Sequence, residues 1–125
     1  SYVNAKICYL LSSRMFDEVD EAEKQIKEMK DPKVTYIRIV GTSFHQSFEP
    51  FHKGVTVNLI REPDNRHDPD AIRVEIEGES VGYVANSPKT LIENVKSATE
   101  LKNSNATQAI FSFILLGEYV IARVI

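Results

Sequence analysis

The sequence predicts a mainly β fold: a six-stranded, partly open barrel with one internal helix and an N-terminal helical appendage. Three observations carry this. The apolar period is about 3.6 up to Pro32 and about 2 after it. Six short β-branched or aromatic segments follow, separated by Gly, Pro, Asn and Asp. No alternation of strands with long helices marks a parallel α/β sheet. We divide the chain into an appendage, 1–33, and a barrel domain, 34–125.

Residues 4–30 read as helix. Cys8, Leu11, Met15, Val19, Ala22, Ile26 and Met29 recur every three or four residues and form one apolar stripe. The acidic and basic residues between them, with Asp20–Lys24 and Glu23–Lys27 spaced i,i+4, form the wet face. Ser12-Ser13 can break the element in two, Ser13 capping the second part. Asp31-Pro32 ends it. The stripe either docks on the following domain or pairs with its copy in a homo-oligomer through residues 8–29. A cysteine on such a stripe is expected to be buried and unreactive.

The strands are expected at 34–40, 55–60, 71–76, 80–84, 109–116 and 119–124. Gly41 ends the first. In the third, Ile72, Val74 and Ile76 share one face. Glu77-Gly78-Glu79 and Gly117-Glu118 make hairpin turns. Ser87 before Pro88 resembles a helix start, and Leu91, Ile92, Val95, Ala98 and Leu101 give that helix an apolar face.

Composition narrows function. The 125 residues carry 15 Lys and Arg against 18 Asp and Glu, net −3, with 6 basic to 7 acidic in 1–33 and 9 to 11 in the rest. This is not the basic body of a strong duplex binder, so any nucleic-acid contact must be local. One cysteine excludes an internal disulfide and a cysteine-based zinc site, and a reducing, cytoplasmic setting is expected. No basic leader followed by an apolar run opens the chain, so no signal peptide is expected, and no run is long enough to span a bilayer. The first residue is Ser1, which fits a piece of a longer chain.

Catalytic patterns are missing. There is no G-x-S-x-G, and the five isolated glycines build neither a Walker nor a G-x-G-x-x-G loop. Asp64, Asn65, Asp68 and Asp70 lack the Gly and terminal Glu of a calcium loop. Pro63-Asp64 has no Glu-x-Lys partner, since Glu75-Ile76-Glu77 ends in Glu. His45, His52 and His67 have no partners at zinc spacing. We expect no cofactor and a binding module rather than an enzyme. A metal-dependent hydrolase built on His67, Asp68 and Asp70 comes last.

Polar and aromatic residues gather instead in two connections, Thr42 to Gln46 and Arg61 to Asp70, with Tyr83 nearby in strand four. Aromatic and imidazole faces stack on unpaired bases, arginines attract phosphate, and a carboxylate accepts from a sugar hydroxyl. Each residue also has a structural reading. Asp68 before Pro69 can cap its own loop, and Asn65 is a turn residue. Arg61 and Arg73 can simply solvate the sheet. Phe44 fits a core or an exposed rim. Tyr83 shares a face with Val81, which implies partial burial with a free hydroxyl.

Ile39-Val40-Gly41-Thr42-Ser43-Phe44, the run from Leu59 to Val74 containing Arg61-Glu62-Pro63-Asp64-Asn65-Arg66-His67-Asp68-Pro69-Asp70-Ala71-Ile72, and Val81-Gly82-Tyr83-Val84 together resemble the HIRAN domain over about residues 34–120. The resemblance implies an OB-like barrel and capture of the 3′-hydroxyl end of single-stranded DNA, with RNA left open. It implies that Asp68 accepts from the terminal hydroxyl, that His67 lines the pocket, and that Phe44 and His45 stack on or flank the last bases. Tyr83 stands at a family His. Ser43 replaces an Arg that holds DNA, and a Lys after V-G-H has no match in Ala85-Asn86. Arg66, Lys53 or Lys89 can take over those phosphate contacts, with Arg61 beside them. The alternative is a protein-interaction module that uses the N-terminal helix.

Overall fold

The computed structural model describes residues 2–12, 16–41 and 51–125. Helices α1 (Tyr2–Ser12) and α2 (Phe16–Met29) precede strands β1 (Tyr36–Val40), β2 (Thr56–Arg61), β3 (Ile72–Ile76), β4 (Glu79–Val84), β5 (Gln108–Leu115) and β6 (Tyr119–Val124). The run read as one helix is described as two, α1 to Ser12 and α2 from Phe16. The proposed cap Ser13 lies outside the described residues.

All six strands are where the period of 2 puts them, and each meets its neighbours antiparallel in the order β1-β4-β3-β2-β5-β6. The barrel is closed, not partly open. Closure falls to the five residues of β1, which serve two partners. Tyr36 to Ile39 pair with Arg123 to Val120 of β6, while Ile39 and Val40 pair with Val84 and Tyr83 of β4. A closed barrel leaves no strand edge open to another chain.

Two hairpin turns make this compact. Glu77 and Gly78, at φ 52° and 82°, join β3 to β4. Leu116 and Gly117, at 54° and 68°, turn β5 into β6, and Glu118 N–H donates to Leu115 O at 3.1 Å. Paired positive φ angles match the right-handed twist of the strands they join.

The barrel interior holds Ile37, Ile39, Val57, Leu59, Ile72, Val74, Ala109, Phe111, Val120 and Ala122. A second apolar cluster lies outside it: Val3, Ala22, Met29, Tyr36, Leu115, Tyr119 and Ile121. β6 feeds both, Val120 and Ala122 inward and Tyr119 and Ile121 outward, so its apolar residues run unbroken. β5 changes face. Phe111 pairs with Ala122 and Phe113 with Ile121, which leaves Ser112 as an extra residue. That bulge moves the odd-numbered side chains from the interior, at Phe111, to the helix-facing cluster, at Leu115.

The stripe on α2 is therefore covered within the chain. Val19 and Ala22 are 3% and 1% exposed. On α1 the inward residues are Val3 and Ile7, and Cys8, expected on the buried stripe, is exposed. The inward positions of α1 and α2 therefore do not follow the single stripe read across 4–30.

The helix expected at 88–101 does not form. Ser87 does cap a turn, with Leu91 N–H donating to Ser87 O at 3.0 Å and Lys89 N–H to its hydroxyl at 3.2 Å. But Asn94 takes φ 71°, and Lys96 N–H donates to Tyr36 O at 2.8 Å, so the chain leaves the helical path to bind the barrel. A second turn then starts at Ser97. Its hydroxyl accepts from Glu100 N–H, and the Glu100 carboxylate accepts from Ser97 N–H, both at 3.0 Å, a reciprocal capping box. The Ser97 N–H, first among its causes, holds the Glu100 carboxyl below the usual carboxylate range. Arg38 clamps the first turn. It donates to Thr90 O, and its guanidinium lies 4.6 Å from the Tyr119 ring centroid.

The two clusters make a separable prediction. Ala22→Arg forces a charge into the outer cluster only. Amide protection in α2 should fall while the six strands keep theirs in a hydrogen-exchange measurement. Equal loss throughout would show that helices and barrel open as one unit.

Candidate functional site

The connection from β2 to β3 contains two prolines, which donate nothing, so its remaining backbone groups must be satisfied from within. Glu62 N–H donates to Ala71 O and Ala71 N–H to Asp68 O, both at 3.0 Å. Asn65 then acts as a substitute backbone. Its Oδ1 accepts from His67 N–H at 2.9 Å and Asp68 N–H at 3.1 Å, and its Nδ2 donates to Glu62 Oε1 at 2.9 Å. The turn role read for Asn65 is the one it fills.

Asp68 does the same for the next turn, its Oδ1 accepting from Asp70 N–H at 2.9 Å. Its Oδ2 accepts from Asn86 Nδ2 at 2.7 Å. Asn86 Oδ1 in turn accepts from Thr99 N–H at 2.9 Å, and Thr99 Oγ1 donates to Asp70 Oδ2 at 3.0 Å. Asp68, Asn86, Thr99 and Asp70 thus form a closed ring of hydrogen bonds across three stretches of chain. Lys102 lies 3.3 Å from the other Asp70 oxygen. Asp68 is half-buried, while Arg66 and His67 beside it are exposed.

A second group lies on the barrel wall. Arg73 and Tyr83 are register partners on β3 and β4. Arg73 forms ion pairs with both Glu62 and Glu75. The Tyr83 ring is half-buried as expected, and its phenol interacts electrostatically with the Glu62 carboxylate. The Asn65 amide first, then the Arg73 guanidinium and the Tyr83 hydroxyl, hold the Glu62 carboxyl below the usual range. The same carboxylate is the main reason the Tyr83 phenol is pushed up. Gly41, at φ 70°, ends β1 close to this ring: a Cβ there would lie 3.9 Å from Tyr83 Cδ2.

The other expected site residues divide. Phe44 and His45 lie outside the described residues. Arg61 does more than solvate the sheet. Its Nη2 donates to Ser104 O at 3.0 Å and Ala106 O at 3.4 Å, bracing the connection into β5. Lys53 is exposed on a different surface, where it lines a cleft of about 510 Å³ with Glu21 and Glu28 of α2 and Arg123 of β6. Lys89 is exposed at the turn that Ser87 caps. Among the described residues, no group of three His, Cys, Asp or Glu could hold a metal ion, and no helix is long and apolar enough to cross a membrane.

Sequence reasoning missed Asn86, Thr99 and Lys102, and it did not single out Glu62 as the anchor of Tyr83. Only one signal for this was visible, the S-x-x-E pattern at Ser97 that sets Thr99 in place.

Glu62 yields a spectroscopic prediction. Its carboxylate favours the neutral phenol of Tyr83, so Glu62→Gln should let one of the five tyrosines ionise at lower pH in a tyrosinate absorbance titration. An unchanged titration would remove Glu62 as the anchor. In the parent the carboxylate's contribution to stability is present above the unfolded-state pKa. It is lost as pH falls through the lower folded-state value.

The model of the HIRAN domain matches residues 32–105, which span β1 to β4 and the capped turns after them. No curated protein matches the chain. Among solved structures the chain is similar to the crystal structure of the HIRAN domain of human HLTF, at 21% identity over 73% of this chain and 72% of that one, with a TM-score of 0.49. With more than half of its length matched by that family model, the chain belongs to the HIRAN domain family.

Proposed function

We propose that this chain is a nucleic-acid-binding module, without catalytic activity of its own, that takes the free 3′-hydroxyl end of single-stranded DNA at the β2–β3 connection. The observation that carries the reading is the Asp68 carboxylate. Both of its oxygens are oriented by donors, Asp70 N–H and Asn86 Nδ2, and each keeps a lone pair for a further donor. A carboxylate held this way accepts a hydroxyl and repels a phosphate. His67 and Arg66 are exposed beside it, one offering a flat face and the other a cation. The half-buried Tyr83 ring, on β4 beside Arg73 of β3, supplies a wall. Phe44 and His45 complete the pocket in this reading, stacking on the terminal bases.

The charges favour a small footprint. Arg73 is neutralised by Glu62 and Glu75, and Lys102 sits against Asp70. Arg66 and Lys89 are the cations we assign to phosphate, with stacking at about 1–3 kcal/mol per base supplying most of the affinity.

Fluorescence anisotropy with short oligonucleotides tests this directly. The protein should bind a free 3′-hydroxyl end at least about ten-fold more tightly than a 3′-phosphate or a blunt duplex, a difference of about 1.4 kcal/mol. Asp68→Asn should remove most of that preference. Equal binding of the two single-stranded ends would refute the assignment. The salt dependence is a second check. Two phosphate contacts give a slope of log K against log salt of about −1.4. A slope several times steeper would mean an extended basic track instead of an end pocket.

A further inference from the structure

We infer that Asn86 is the positioning residue of the pocket, setting the Asp68 carboxylate so that it distinguishes a hydroxyl from a phosphate. The inference rests on the end-binding reading above and names the group that would give it selectivity. The orientation of the Asn86 amide is forced by its neighbours. Thr99 N–H can only donate, so the atom 2.9 Å from it must be Oδ1. Nδ2 therefore faces Asp68 Oδ2, which can only accept when ionised, at 2.7 Å. Reversing the amide would set a donor against a donor and an acceptor against an acceptor.

Asp68 would otherwise be fixed only within its own loop, through Asp70 N–H. Asn86 joins that carboxylate directly to the end of β4 and, through Thr99, to the capped turn at Ser97, which Asp70 reaches by its own bond to Thr99. It thereby fixes the plane of the carboxylate relative to the barrel wall that carries Tyr83. Selectivity thus comes from a neutral side chain that contributes no charge to the surface.

Asn86→Asp separates positioning from folding. The new carboxyl keeps an oxygen for Thr99 N–H, so the capped turn survives, but it turns an acceptor toward Asp68. We expect the ratio of affinities for 3′-hydroxyl and 3′-phosphate ends to fall about ten-fold at pH 8, as befits a lost hydrogen bond to a charged group. The ratio should recover as the pH is lowered to about 5.5, because two facing carboxyls share a proton that restores a donor to Asp68. The other charged or titratable groups near the pair are Arg66, His67 and Asp70 on the same connection and Lys102 against Asp70. They are common to both proteins, so the difference between the two pH profiles reports the pair. Asn86→Ala should lower the ratio without any recovery in acid. If the parent prefers the hydroxyl end and both variants keep its ratio and pH profile, Asn86 has no positioning role. If the parent itself shows no preference, the end-binding reading falls and this inference falls with it.

Discussion

The prolines at 63 and 69 set the constraint on which the candidate site depends. A connection that loses two backbone donors and runs over the surface cannot hold one shape through main-chain bonds alone. Here two side chains stand in for backbone. Asn65 closes the first turn and Asp68 the second. The consequence for chemistry is direct. A carboxylate that caps its own loop is rigid before any ligand arrives, and rigidity is what an acceptor needs to discriminate. The structural and the functional readings of Asp68 are therefore not rivals: its Oδ1 does the first job, and the lone pairs left over are available for the second.

Rigidity on one side of the barrel is matched by a different device on the other. The bulge at Ser112 exchanges the faces of β5, so one strand supplies Phe111 to the interior and Leu115 to the surface under α2. β6 is apolar on both faces for the same reason. This lets a small barrel carry a helix pair without leaving apolar surface in water. It also places α2 on the Lys53 side, with its apolar face on residues of β5 and β6.

The strands were legible because β1 and β3 alternate cleanly and because β1, β3 and β5 run into turns with positive φ, at Gly41, Gly78 and Gly117. The second hairpin lay one residue earlier than Gly117-Glu118 suggested, since a Leu takes the first left-handed position. The segment 88–101 misled because its apolar spacing is genuinely helical while its backbone bonds are claimed elsewhere. Lys96 N–H goes to Tyr36 O and Ala98 N–H to Ala85 O. Tertiary partners outweigh a periodicity of three turns. Cys8 misled because α1 turns Val3 and Ile7 inward, a different phase from the stripe read through residues 8–29. In the candidate site, Asp68, His67, Arg66 and Tyr83 were legible as polar and aromatic residues of a motif that is continuous or nearly so in sequence. Asn86 was not, because nothing local marks an Asn after a strand as the partner of a carboxylate 18 residues earlier.

Net charge points to how such a site can work on an acidic protein. Most cations around the pocket are already matched: Arg73 by two glutamates, Lys102 by Asp70, and Arg61 by carbonyls. Each match removes a phosphate contact and adds stiffness to a wall or loop. For a binder of long strands that exchange would lose affinity. For a binder of ends it is favourable, since an end offers few phosphates but one distinctive hydroxyl. Selectivity then depends on placing a carboxylate, and the fold commits β2, β3, β4 and the turn at Ser97 to placing one.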